Sequence, residues 1–340
     1  MTKRMLITGG AGFIGSNATH FFAARNWNIT VLDNLSRSGA DKNLQWLRDE
    51  TTTFEFAQVD IRDRLAVDRV VAGGRFDAVI HLAAQVAVTT SVADPRTDFS
   101  VNALGTFNVL DAVRLYCPEA VFIFASTNKV YGNIVTAACE LNGTRYAYAN
   151  RPYGIGENES LDFLSPYGCS KGAADQHALD FARIYKIPAT SFRQSCIYGP
   201  RQFGIEDQGW VAWFVIAAML GRDITIFGDG KQVRDVLHVD DLLRAYEAAI
   251  RAPEKVAREA FNIGGGPHQI ISLIDLIGRL ENRLDRNIPL RWADWRPGDQ
   301  HVYVSDIRKI QNTLDWKPEI GVTAGISQLI DWVGRNRSAF

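Results

Sequence analysis

Met5-Leu-Ile-Thr-Gly9-Gly-Ala-Gly12-Phe-Ile-Gly15 decides the fold. A short apolar strand runs into glycines at three-residue intervals, and a helix follows to about Arg25. Such glycines allow a tight turn, bring bare backbone against a pyrophosphate and seat the helix on a sheet. The helix start then offers unpaired N–H groups to phosphate oxygens. A glycine triplet alone is a weak sign, but a second strand answers it here, Ile29-Thr-Val-Leu-Asp33. Asp33 stands where an acid accepts hydrogen bonds from an adenosine ribose. These features predict an α/β chain whose doubly wound parallel sheet, of the Rossmann type, binds a dinucleotide. Asp33 would repel a 2′-phosphate, so NAD is expected rather than NADP. Arg37, in Asn34-Leu-Ser36-Arg37, has the charge to pair with such a phosphate, or else lies over the adenine or in solvent.

Outward from this start, a third strand (54–59) leads to Asp60 and Ile61 at the expected adenine edge. The fourth, Ala78-Val-Ile-His81, continues into Leu82, Ala83, Ala84 and Gln85, mostly small residues where backbone passes close to a ligand. His81 reads as a satisfied core histidine. A helix is expected over 98–116, with Phe99, Ala103, Phe107, Leu110 and Val113 at helical spacing. Asn102 interrupts its apolar face, and a buried amide needs partners. These are either the active-site backbone and a water beside Lys171, or another helix. The fifth strand, 121–127, ends in Ser126-Thr127 at the carboxyl edge, where ligands bind in open parallel sheets.

Ser165-Pro-Tyr167-Gly-Cys-Ser-Lys171 then opens a long helix. Residues i and i+4 share a helix face, so the phenol and the ammonium share one space. A cation beside a phenol, whose ordinary pKa is about 10, lowers that value. The phenol then becomes usable as a base toward an alcohol.

Composition sets the outer bounds. The chain has 340 residues, 46% hydrophobic and 22% charged, which suits one large domain with a lobe or two domains. A formal net charge of -1 leaves no electrostatic footprint for nucleic acid or an anionic membrane. Cys117, Cys139, Cys169 and Cys196 form no Cys-x-x-Cys and read as reduced thiols of a cytoplasmic protein. The histidines show no metal spacing. The apolar run at the start ends in the glycine turn, as a strand does and a signal peptide does not. The longest apolar run, 211–220, is about half of what a bilayer requires.

Gly9, Gly12, Gly15, Asp33, Asp60-Ile61, Leu82-Ala-Ala84, Asn102, Ser126-Thr127, Tyr167, Lys171, Arg193, Arg234 and Arg296 together resemble the extended short-chain dehydrogenase/reductase family, within it the nucleotide-sugar epimerases. The resemblance covers nearly the whole chain. It implies tightly held NAD, contacted also by Phe13, Ile14, Asn34 and Ser36. It further implies Thr127 hydrogen-bonded to the reacting oxygen, Tyr167 as acid/base, and Lys171 on the nicotinamide ribose. Gln194 and Ser195 are expected near the carboxamide. Sugar 4,6-dehydratases of this family carry Thr-Asp-Glu after the fifth strand; Asn128 and Lys129 stand there instead, which disfavours elimination of water. Ser126-Thr-Asn-Lys-Val-Tyr-Gly132 and Asp207-Gln-Gly-Trp210 resemble the CDP-paratose 2-epimerase branch, as does the insert 133–164, expected to fold over the sugar pocket. Trp210 is alternatively a packing residue, and the insert a surface loop.

The expected division places NAD on 1–198, with 231–263 returning to that domain. A nucleoside-diphosphate sugar, a CDP-sugar by preference, falls to a lobe of 199–230 and 264–340. Asn128, Cys196 and Arg201 are expected to line the sugar side. Val211, Thr225 and Phe227 would meet the nucleotide, and Arg234 and Arg296 the diphosphate, with Asp299 on a ribose or orienting Arg296. Guanidinium forks suit phosphate oxygens, although either arginine also suits a surface ion pair. The triad does not fix which carbon reacts, so a UDP-glucose/galactose 4-epimerase remains the alternative enzyme. A non-catalytic NAD-binding regulator is the alternative of another class. Helices 98–116 and 167–186 suit pairing in a homo-oligomer, a dimer or tetramer, or packing internally.

Overall fold

The computed structural model describes every residue except Met1, Thr52, Val135, Pro297 and Gly298. Its strands, in chain order, are β1 Arg4–Thr8, β2 Asn28–Asp33, β3 Phe54–Gln58, β4 Ala78–His81, β5 Val121–Thr127, β6 Cys139–Asn142, β7 Arg145–Tyr148 and β8 Ala189–Gln194. They continue with β9 Cys196–Tyr198, β10 Ile224–Phe227, β11 Val233–His238, β12 Ala260–Ile263, β13 Ile270–Ser272, β14 Leu290–Ala293 and β15 Val302–Tyr303. Seven of them form one parallel sheet in the order β12-β8-β5-β4-β1-β2-β3. The order reverses between β1 and β4, and at that point the loops leaving the carboxyl ends part to make a crevice.

Alternation along each strand feeds two cores. Met5, Ile7, Val31, Ile80 and Ile123 pack on one face of the sheet, and Leu6, Leu32, Val79, Phe122 and Phe124 on the other. Helices cover both faces, as an all-parallel sheet requires. The Phe13–Ala23 helix sits close because Gly15 has no side chain: a Cβ there would lie 2.1 Å from the Gly9 carbonyl oxygen.

The helix expected over 98–116 is interrupted. Pro95–Phe99 and Thr106–Tyr116 are α-helical, and Ser100–Gly105 between them is a π turn. Wider turns rotate the side-chain register. Ala103, Leu110 and Val113 are buried as expected, but Phe99 is 59% and Phe107 39% exposed. Gly105 presses against Ile61, where a Cβ would lie 2.6 Å from Cδ1, and Asn102 turns inward.

Of the stretch 231–263, β12 and the Val239–Arg251 helix pack with the main sheet, whereas β11 pairs with β9, β13 and β15 in a smaller one. The helices Trp210–Leu220, Leu273–Leu284 and Val322–Arg335 share a separate core beside that small sheet. No described residue of segment 133–164 lines the crevice. Its β6–β7 hairpin reaches the small sheet: Tyr146 N–H donates to the Lys231 carbonyl, Tyr148 Oη donates to the Val302 carbonyl at 2.9 Å, and Ile155 bridges to Ser305.

Candidate active site

The crevice is a single cleft of about 560 Å³ at the carboxyl ends of β1, β4, β5 and β8. Every residue expected to contact the cofactor lines it, Asn102 excepted. The backbone forms its floor. Gly9 has φ +67°, and a Cβ there would lie 2.7 Å from the Ala83 nitrogen, so the turns after β1 and β4 touch without side chains between them. The Asp33 carboxylate accepts from the backbone N–H groups of Ala11 and Leu35 at 3.0 and 2.8 Å. Burial pushes its pKa up and those N–H groups pull it down. Asp60 accepts from Asn34 and twice from the Arg62 guanidinium, whose bond holds the carboxyl down at about 2. A bare glycine cradle, an oriented acid and a second acid beyond it fit a dinucleotide.

Tyr167 opens the Ser165–Ile184 helix and is 7% exposed. Burial pushes its phenol up to about 12; the Thr127 hydroxyl and the Arg37 charge oppose this, and the Asp98 charge adds to it. The Lys171 ammonium donates to the Ala125 carbonyl at 2.5 Å and lies 4.2 Å from the centre of the Phe124 ring. Burial brings it down to about 7, against the charges of Asp175 and Asp98. The two side chains share a helix face, but the cation is directed at β5 and the phenol is raised, not lowered as the spacing suggested.

Both suggestions for Asn102 hold in part: its Oδ1 accepts the Gln85 N–H at 2.9 Å, and its Nδ2 donates to the Gln85 carbonyl, Asp98 and Ser170. His81 is bonded by Thr8 and Thr106, one on each ring nitrogen, and burial brings it down to about 3.

On the substrate side, Ser126, Thr127, Cys196, Arg201 and Val211 line the cleft, and Trp210 joins them with Nε1 3.5 Å from the Cys196 sulfur. Asn128, Thr225, Phe227, Arg234, Arg296 and Asp299 do not line it. Arg234 donates to Asp299 at 2.7 Å, and Arg296 pairs with Asp207 at 2.9 Å while lying over the Phe227 ring. Each expected diphosphate arginine is thus held by a carboxylate. Arg201 lines the cleft with its guanidinium over Trp46 at 4.1 Å. Lys129 is half-buried near Arg234, Asp299 and Cys196, and burial lowers its pKa. The sequence reading missed Asp98 and Ser170 beneath Tyr167, as well as Gln202, Phe203 and Gln208 along the cleft wall. Adjacency to Lys171 was the one signal available for Ser170.

A parallel Rossmann sheet whose glycine turn, acid at the end of β2, strand-end hydroxyls, tyrosine and lysine open onto one cleft defines an NAD-dependent extended short-chain dehydrogenase/reductase. The chain belongs to the GDP-mannose 4,6 dehydratase family, which matches residues 6–329, and so to the NAD-dependent nucleotide-sugar epimerases and dehydratases. It is 44% identical to the CDP-paratose 2-epimerase of Salmonella typhi, over 97% of this chain and 98% of that protein. The UDP-glucose 4-epimerase of Thermotoga maritima, solved with UDP-glucose, superposes with a TM-score of 0.83 at 30% identity over 98% and 99% of the two chains. The UDP-glucuronic acid 4-epimerase of Bacillus cereus, in complex with UDP-glucuronic acid and NAD, gives 0.83 at 27% identity over 98% and 99%. No helix among the described residues is long and apolar enough to cross a membrane.

Proposed function

We propose that this protein is a CDP-paratose 2-epimerase. The observation that carries the reading is the one-turn helix Asn128–Tyr131 directly after Thr127. Asn128 and Lys129 occupy the two positions after Thr127 where elimination of water would need carboxylic acids. The 44% identity to the Salmonella typhi enzyme supports the base and the carbon. NAD⁺, when bound, would supply reversible hydride transfer at the sugar carbon. Gly9, Gly12 and Gly15 would hold its pyrophosphate, and Asp33 its adenosine ribose. Tyr167 takes the proton of the sugar hydroxyl and gives it back, while Thr127 hydrogen-bonds the same oxygen. Lys171, turning from Ala125, secures the nicotinamide ribose. Arg234 and Arg296 exchange Asp299 and Asp207 for diphosphate oxygens.

The likeness to UDP-glucose 4-epimerases favours a second reading, inversion at C4 of a UDP-hexose, since sugar pose decides the carbon. One experiment separates them: CDP- and UDP-sugars are incubated in heavy water and followed by NMR. Inversion at C2 of the CDP-sugar without deuterium supports the first reading, and inversion at C4 of a UDP-sugar the second. Deuterium at the inverted carbon means deprotonation there and removes both.

A second copy of the chain is the occupant we infer for the Thr106–Tyr116 and Ser165–Ile184 helices. Leu104, Phe107, Leu115, Tyr116 and Ile184 are 39–59% exposed on or beside them. Exposed apolar side chains on two helices that touch each other suit an interface between copies.

A further inference from the structure

Asp98 is a buried acid to which the mechanism above gives no part. Asp98, in the Pro95–Phe99 helix, is 1% exposed. Its Oδ2 accepts the Ser170 hydroxyl at 2.5 Å, and its Oδ1 accepts the amides of Gln85 at 2.8 Å and Asn102 at 3.0 Å. All three donors are neutral, and no basic side chain pairs with this carboxylate among the described residues. An acid withdrawn from water onto neutral dipoles alone is costly, and packing does not explain it, because an asparagine fills the same volume.

Its partners show what it reaches. Ser170 lies between Tyr167 and Lys171, and its hydroxyl is also 3.2 Å from the Tyr167 carbonyl oxygen. Gln85 lines the cofactor cleft, with its backbone fastened by Asn102. One carboxylate therefore joins the turn that carries the phenol and the ammonium to the loop that follows β4.

We propose that Asp98 is a positioning residue for the reaction, clamping the first turns of the Ser165–Ile184 helix to the cofactor loop and setting a negative charge behind Tyr167 and Lys171. The inference rests on Tyr167 being the acid/base. That charge favours phenol over phenolate and ammonium over amine. The other charged group facing Tyr167 is Arg37, from the loop after β2. Lys171 is faced by Asp175 on its own helix and by His81 on β4, which stays neutral at ordinary pH. Asp98 thus favours the charged lysine while holding back ionisation of the tyrosine.

The test compares pH profiles of kcat for the NAD-loaded wild type, Asp98→Asn and Ser170→Ala. Asp98→Asn is expected to move the acid limb about one pH unit lower. It should also reduce kcat about fivefold or more, with KM within about twofold, as lost positioning does. Ser170→Ala keeps the charge and cuts the tie, so kcat falls with the acid limb unmoved. An acid limb that stays or moves upward in Asp98→Asn overturns the proposal. Should that variant not fold, Ser170→Ala decides: a kcat within about twofold of wild type overturns the clamp, and a larger fall at unchanged KM supports it. Tyr167→Phe is run alongside. If it remains active, the acid/base reading fails; if it is dead while Asp98→Asn keeps the wild-type profile, only the role of Asp98 fails.

Discussion

The Lys171 ammonium stands 2.5 Å from the carbonyl oxygen of Ala125, its only hydrogen bond among the described residues. A buried cation that makes no salt bridge contributes little to stability, because its desolvation offsets the bond it makes. Lys171→Met should therefore melt at the wild-type temperature or above it when free of cofactor. The same variant should lose about 100-fold or more in kcat. A clear fall in melting temperature by calorimetry would show the lysine to be a structural strut instead.

Gly15 and Gly12 predict opposite outcomes. At Gly15 a Cβ meets the Gly9 oxygen at 2.1 Å and Gly10 Cα at 2.6 Å, all backbone. Gly15→Ala should cost about 1–3 kcal/mol, read from urea unfolding. Gly12 has φ -70°, and its Cβ would meet only the Gly9 oxygen, at 3.1 Å. Gly12→Ala should fold nearly as well and bind NAD more weakly, measured by titration of the cofactor-stripped protein. Equal stability losses in the two variants contradict the geometry.

Stability of the cofactor-free protein should rise across neutral pH. His81 is brought down to about 3, so the unfolded chain binds its proton below about 6.5 and the folded chain does not. Stability from that source is present above about 6.5 and lost as pH falls. Lys171, brought down to about 7, releases its proton in the folded state while the unfolded chain keeps it to about 10.4, so stability increases over that interval. Tyr131 and Tyr167, both raised to about 12, keep their protons when folded, and stability falls as pH rises beyond about 10. Urea midpoints measured from pH 5 to 11 should peak on the alkaline side, near about pH 9 to 10. A maximum near pH 6 counts against these assignments.

Phe107→Asp places a charge in the exposed apolar patch, beside Phe181 and His177 at ring distances of 5.7 and 5.6 Å. Light scattering should show smaller assemblies with wild-type melting cooperativity. An unchanged mass moves the contact to another face.

Much of the cofactor half was legible because its chemistry is local in sequence. The glycine turn, Asp33 and the strand-end Ser126-Thr127 each sit where a strand stops, and each of those strands is a nearly continuous buried run. Tyr167 and Lys171 were legible through helical spacing, but the direction of the ammonium was not. It depends on the Ala125 carbonyl, which β5 supplies from 46 residues away. The π turn escaped the periodic reading because Ser100–Gly105 looks helical residue by residue; Ile61 pressing on Gly105 marks where the spacing slips. Arg234 and Arg296 were found as cations, yet their carboxylate partners lie in distant loops that no spacing rule reaches.

The β6–β7 hairpin lies in the chain between β5 and the Ser165–Ile184 helix, yet its hydrogen bonds run to Lys231, just before β11, and to Val302 in β15. The surroundings of the small sheet are therefore not drawn from the carboxyl-terminal third alone. A chimera that borrows a relative's β11 and β15 must carry 133–164 with them, or two halves of one seam will come from different garments.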